Sequence, residues 1–113
     1  AENIAAHVLQ RKGFKILERN FSTRFGEIDI IALDSCDDGS IVFVEVRYRG
    51  KNSYLLPEET VIVKKQQRIR YAAYIYLNKY GKADAPMRFD LVCVTKEGGW
   101  FGPVKVRHIV DAF

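Results

Sequence analysis

The sequence predicts an α/β domain with a central mixed five-stranded sheet flanked by helices. Three observations predict it. Apolar residues recur at helical spacing in two segments, one opening the chain and one past its middle. Five short segments rich in β-branched and aromatic residues complete the order α-β-β-β-α-β-β. At 113 residues, 48% apolar and 28% charged, the chain has enough material for one ordinary core and too little for two.

Residues Glu2–Lys12 place Ile4, Ala5, Val8 and Leu9 on one helical face, and Gly13 stands where a C-cap belongs. Phe14–Asn20 alternates imperfectly, with Phe14 and Ile16 on one face and Leu17 on the other, and reads as the first strand. Gly26–Asp34 is the second strand and Ile41–Arg49 the third, joined by the Asp-rich hairpin loop Ser35–Ser40. Gly50–Pro57 is a polar, turn-prone connection. Val61–Tyr80 puts Ile62, Ile69, Ala73, Tyr76, Leu77 and Tyr80 near one helical face, and Gly81 ends it. Arg88–Thr95 is a strand with a continuous apolar centre, Leu91–Val94. After a Gly98-Gly99 turn, Val104–Val110 gives a weaker last strand.

No linker, repeat or low-complexity tract interrupts the sequence, so residues 1–113 are expected to form a single domain. The chain opens on Ala with a helical pattern already under way, which implies a truncated N-terminus. No apolar run approaches the roughly 18 residues that span a bilayer, and no secretory h-region is present. The expectation is a cytoplasmic protein with no membrane partner. Cys36 and Cys93 lack metal or CxxC spacing and read as two thiols in a reducing compartment, which argues against zinc. His7 and His108 form no motif and read as structural or exposed.

Two neighbouring strands carry the chemistry. GEIDIIA at Gly26–Ala32 and IVFVEVRYR at Ile41–Arg49 each set a carboxylate among apolar residues, with fifteen residues between Asp29 and Glu45. Charge in such a strand is costly unless something pairs with it or binds it. A period of two puts Glu27, Asp29 and Ile31 on one face, opposite to Ile28, Ile30 and Ala32. In the next strand Phe43, Glu45 and Arg47 share a face. In a hairpin, Asp29 and Glu45 would lie side by side and repel unless a cation sat between them. Hard oxygen ligands and partial hydration describe Mg²⁺ or Mn²⁺. Such an ion polarises a phosphate and lowers the pKa of an attacking water. The competing reading makes both acids solvated surface residues paired with Arg47 and Arg24.

The formal charge is +4, and its distribution matters more than its size. Arg47, Arg49 and Lys51 lead from the acids into the next loop, and Lys64, Lys65, Arg68 and Arg70 crowd the start of the second helix. Around an acidic pocket they would neutralise backbone phosphates; on their own they are a solvated helix face. Tyr71, Tyr74, Tyr76 and Tyr80 suggest base stacking, but Tyr76 and Tyr80 read as packing residues, and Tyr48 and Tyr54, near the basic loop, are the better candidates.

At these residues the chain resembles the PD-(D/E)xK nuclease arrangement: Asp29, fifteen residues, then Glu45-Val46-Arg47, between a leading and a following helix. More narrowly it resembles the bacterial YraN family. The resemblance rests on E-x2-A at Glu2–Ala5, Asn20, GEIDIIA, VFVEVRYR, the Pro57–Ala73 segment and RFDLV at Arg88–Val92. It covers nearly the whole chain, although the glycines expected before Glu2 are absent. It implies a restriction-endonuclease-like fold similar to that of archaeal Holliday junction resolvases. It also implies metal ligation by Asp29, Glu45 and the Val46 carbonyl, with Glu2 on the leading helix as a further acid of the site. As an acid in a helix's first turn, Glu2 is equally accounted for by the helix dipole. Arg47 stands where lysine is usual in the broader pattern. Arginine forks onto phosphate and stabilises charge, but it cannot act as a base.

The leading expectation is a nuclease that uses Mg²⁺ or Mn²⁺ to hydrolyse phosphodiesters in DNA, including branched or junction DNA. DNA is favoured over RNA, and the oligomeric state, a homodimer included, is left open. Arg47 would contact the scissile phosphate, and Lys65 or Arg68 the backbone. The runner-up is a non-catalytic nucleic-acid-binding module on a degenerate nuclease fold. A third reading is an interaction protein whose basic face meets an acidic partner.

Overall fold

The structure, a computed structural model, describes residues 2–50, 61–96 and 102–113. The polar connection, Lys51, Tyr54 and the Gly98-Gly99 turn lie outside the described residues.

The elements follow the expected order: α1 (Glu2–Arg11), β1 (Phe14–Ser22), β2 (Glu27–Asp34), β3 (Ser40–Gly50), α2 (Val63–Lys79), β4 (Met87–Lys96) and β5 (Val104–Ile109). The strands lie in one sheet in sequence order; β3 and β4 are parallel and the other pairs antiparallel. Parallel neighbours need a crossover, and α2 provides it. The sheet is therefore mixed and five-stranded, as the sequence predicts.

The helices take opposite faces. Ala5 and Leu9 of α1 pack on Ile30, Ala32, Val42, Val44, Val92 and Val94. Ile69, Ala72, Ala73, Tyr76 and Leu77 of α2 pack on Ile31, Phe43, Leu91 and Cys93. Covered on both faces, Leu91–Val94 in β4 reads as an unbroken apolar run. Phe43 anchors the α2 side, with Tyr76 and Phe89 rings at 5.9 and 5.7 Å. Truncating a phenylalanine so placed costs about 3–5 kcal/mol.

Several local expectations change. The imperfect alternation of β1 is a bulge between Ile16 and Glu18, which leaves Leu17 unpaired and exposed. Ile62 is not on the core face of α2: it is the extended N-cap residue and is exposed, while Val61 is buried in its place. Gln66 Nε2 donates to the Val61 carbonyl at 2.6 Å, tying the first turn to the chain before it; the N-terminus has no side-chain cap. Tyr80 is exposed beside Tyr76 rather than in the core stripe. Gly81, at φ 64, ends α2 as expected, with the Lys82 N–H returning to the Leu77 carbonyl at 2.7 Å.

Candidate functional site

The ladder between β2 and β3 runs from Asp34 opposite Ser40 to Ile30 opposite Val44, and there it stops. Beyond that level β2 pairs with β1 and β3 pairs with β4. The sheet forks, and the next residues on the two prongs are Asp29 and Glu45. Val46, past the end of the ladder, still needs an acceptor for its N–H, and Asp29 Oδ2 takes it at 2.8 Å. Asp29 thus fastens the fork as well as facing it.

The fork also breaks the period of two. The alternation puts Ile28 opposite Ile31, yet both belong to the cluster under α2, together with Phe21. The break falls at Asp29. Across from it in β1, between the pairs Arg19–Ile30 and Phe21–Ile28, Asn20 adopts a left-handed φ of 53.

Glu45 is 5% exposed, and its Oε2 lies 2.7 Å from Lys65 Nζ in the first turn of α2. Burial, reinforced by the neighbouring Glu45, pushes the Asp29 carboxyl up to about 7. The Val46 N–H and Lys65 pull the other way. Asp29 therefore keeps its proton until near neutrality.

A cavity of about 670 Å³ opens over the pair. Lys65 and Arg68 of α2 line one side; Arg24, Phe25 and Glu27, from the β1–β2 turn and the start of β2, line the other. That turn is tightly built. The Thr23 hydroxyl donates to the Gly26 carbonyl and accepts from the Phe25 and Gly26 N–H groups. Gly26 sits against α2 so closely that a Cβ there would lie 2.6 Å from the Arg68 carbonyl oxygen.

The sequence-predicted residues divide. Asp29, Glu45, Lys65 and Arg68 meet in the cavity. Arg47 is half-buried two residues further along β3, level with Cys93, and Arg49 is level with Thr95; neither lines the cavity. Lys64 is exposed outside it, and Arg70 turns away to lie 4.7 Å from the Phe89 ring centroid. Glu2 begins α1, across the sheet. Asn3 beside it accepts from Arg19, and Glu2 is not among the residues lining the cavity. Arg24, whose sequence context suggests only a salt partner, and Phe25, which carries no sequence signal, also line the cavity. Their place at the cavity depends on the turn meeting α2, a tertiary contact with no local signal.

The donor set suits a hard cation. Among the described residues no third His, Cys, Asp or Glu joins the two acids in a metal-binding group. Two carboxylates and the Val46 carbonyl would leave further positions to water and phosphate, the partly hydrated shell that Mg²⁺ keeps.

A second charged cluster is centred on Asp90 of β4, opposite Val44 of β3. Arg88 bonds Asp34, Asp37 and Asp90, and Asp90, fully buried, also pairs with His108 Nε2 at 2.7 Å and accepts the Asp111 N–H. Burial would raise the Asp90 carboxyl, but the bonds from His108, Arg88 and Asp111 outweigh it and hold the group low. His108 is structural, as expected, and His7 is exposed.

A family model described as uncharacterised protein family UPF0102 matches residues 1–94. Among similar proteins, a UPF0102 protein of Syntrophomonas wolfei is 41% identical over 113 residues, covering 99% of this chain and 92% of its own. One from Persephonella marina is 41% identical, covering 99% and 88%. One from Caldanaerobacter subterraneus is 42% identical, covering 99% and 89%. Among solved structures, a chain of the EndoMS–dsDNA complex matches with a TM-score of 0.44 and 18% identity. The match covers 79% of this chain and 34% of that one. No helix among the described residues is long and apolar enough to cross a membrane.

Proposed function

The chain belongs to the UPF0102 family, and from that premise we propose that it is a nuclease-like protein acting on DNA, cleaving phosphodiesters with Mg²⁺ or Mn²⁺. The observation that carries this reading is the convergence of Asp29 and Glu45 at the fork, under a cavity walled by Lys65, Arg68 and Arg24. Asp29, Glu45 and the Val46 carbonyl would hold the ion, which when bound supplies Lewis acidity and a more acidic water. Arg68 and Arg24 would seat phosphates of the strand, and Lys65 would place an ammonium beside the reacting phosphate. Arg47 would contact the phosphate from β3. Lys65 thus brings to the site, from a helix, the lysine that the strand position of Arg47 lacks.

The same ion pair favours a second reading. Lys65 already satisfies Glu45 without a metal, so the site is compatible with a DNA-binding module that does not cleave. A four-way junction, with two strands to cut, would suit a cytoplasmic homodimer carrying two such sites.

Cleavage of a panel of linear, flapped and four-way DNA, with either ion, tests the reading. Wild type should cut at least one substrate and Asp29→Asn none. Binding without cleavage across the panel would establish the module instead.

A further inference from the structure

Two aromatic rings stand open at the mouth of the cavity. Phe25 is 53% exposed and Tyr71 47%, large values for rings in mutual contact, with centroids 4.8 Å apart at 66°. Single exposed aromatics are ordinary. This pair is distinguished by how it is held and what surrounds it. Phe25 projects from a turn locked by three hydrogen bonds to the Thr23 hydroxyl and pressed on α2 at Gly26. Tyr71 rises from α2, three residues after Arg68. The Arg24 guanidinium lies 5.7 Å from the Phe25 ring centroid, and Phe25 lines the same cavity as Asp29 and Glu45. Cations that suit phosphates, rings that suit a flat apolar face, and the acids therefore share one opening.

A paired base in duplex DNA shows only its edges, because its faces are covered by its neighbours in the stack. An aromatic ring gains contact with a base only where the base is unstacked. We propose that Phe25 and Tyr71 form a stacking platform for an unpaired nucleobase, so that the DNA recognised carries a bulged, flapped or otherwise unpaired nucleotide beside the phosphate held at Asp29 and Glu45. This rests on the nuclease-like reading and names its substrate class. Arg24 and Arg68 grip the flanking backbone, and the rings select strands whose bases are free. The platform is built into the fold and needs no closure of a lid.

The test uses oligonucleotides with 2-aminopurine at a single-nucleotide bulge or within an intact duplex, with Ca²⁺ replacing Mg²⁺. Wild type should bind the bulged DNA about tenfold or more tightly than the duplex. Its fluorescence should be quenched on the bulge and unchanged in the duplex. Phe25→Ala with Tyr71→Ala should erase both the quench and the preference while leaving duplex affinity nearly constant. Phe25→Trp should keep both. Equal affinity for the two DNAs, or a quench that survives the double substitution, overturns the platform and leaves the nuclease-like reading standing. Failure of either DNA to bind at any salt concentration overturns both.

Discussion

Lys65 Nζ and Glu45 Oε2 lie 2.7 Å apart, one side chain half-exposed on a helix and the other buried on a strand. The contact is a counter-ion for an acid that would otherwise be stranded, and it occupies an oxygen that a metal would also want. Stability and ion binding are opposed at this one pair.

Lys65→Met should therefore separate the two effects. Glu45 loses its partner, so the apo protein should be destabilised by about 1–2 kcal/mol, below the range for a fully buried pair because Lys65 is half in solvent. Mg²⁺ or Mn²⁺ affinity should rise in the same variant, since the ion no longer competes with an ammonium. Calorimetric titration beside urea unfolding reads both; unchanged metal affinity would remove Lys65 as a competitor.

The pH dependence follows from Asp29. Its folded value near 7 exceeds the ordinary 3.8, so between those limits the folded chain keeps a proton that the unfolded chain has released. Folding is favoured at the acid end and weakened as pH rises through this window. Relative to Asp29→Asn, which cannot titrate, wild type should lose stability between about pH 4 and pH 7 by on the order of 2 kcal/mol. Metal affinity should rise over the same range, because ligation displaces that proton. Thermal melts of both proteins across the window decide it, and parallel curves would contradict a raised Asp29.

The basic residues of α2 should not behave alike. Lys65 and Arg68 face the cavity and Lys64 does not. Removing the first two together should flatten the log–log salt dependence of DNA binding by close to two units, at about 0.9 per phosphate contact. Lys64→Ala should leave the slope nearly unchanged. Fluorescence anisotropy over a salt series measures both, and a Lys64 effect equal to the others would move the DNA path off the cavity.

Arg47 separates enzyme from module. In a working nuclease, Arg47→Ala should slow cleavage on the order of a hundredfold or more with a much smaller loss of affinity, and Arg47→Lys should keep measurable activity. If Arg47→Ala changes affinity alone and no variant cleaves with either ion, the binding-module reading takes over.

Gly26→Ala tests the seating of the β1–β2 turn. Its Cβ would meet the Arg68 backbone carbonyl at 2.6 Å, an atom that cannot swing aside as a side-chain tip does. The substitution should cost about 1–3 kcal/mol, as overpacking does. Denaturant unfolding at wild-type stability would show that the turn lifts freely from α2.

Much of this architecture was legible because each element carries its own period. Ala5 and Leu9 mark the buried face of α1, and Leu91–Val94 marks a strand covered on both sides. Asp29 and Glu45 stood out because acids are out of place in such strands. The misreadings share a physical origin. A period of two assumes an unbroken strand, and Ile28 lies beyond the point where β2 parts from β3. Lys65 meets Glu45, and Asp90 meets His108, through packing between elements distant in sequence, so no spacing rule registers either pair.

The two charged clusters of the sheet are finished differently. In one, Arg88 and His108 neutralise a buried Asp90; in the other, Asp29 and Glu45 face a single half-exposed lysine. The first secures the sheet, while the fork carries the open positions. Substitutions among Asp29, Glu45 and Lys65 can then exchange one chemistry for another, or abandon chemistry altogether, while the Arg88–Asp90–His108 contacts stay in place. A scaffold divided in this way can change its trade over evolutionary time while keeping its shape.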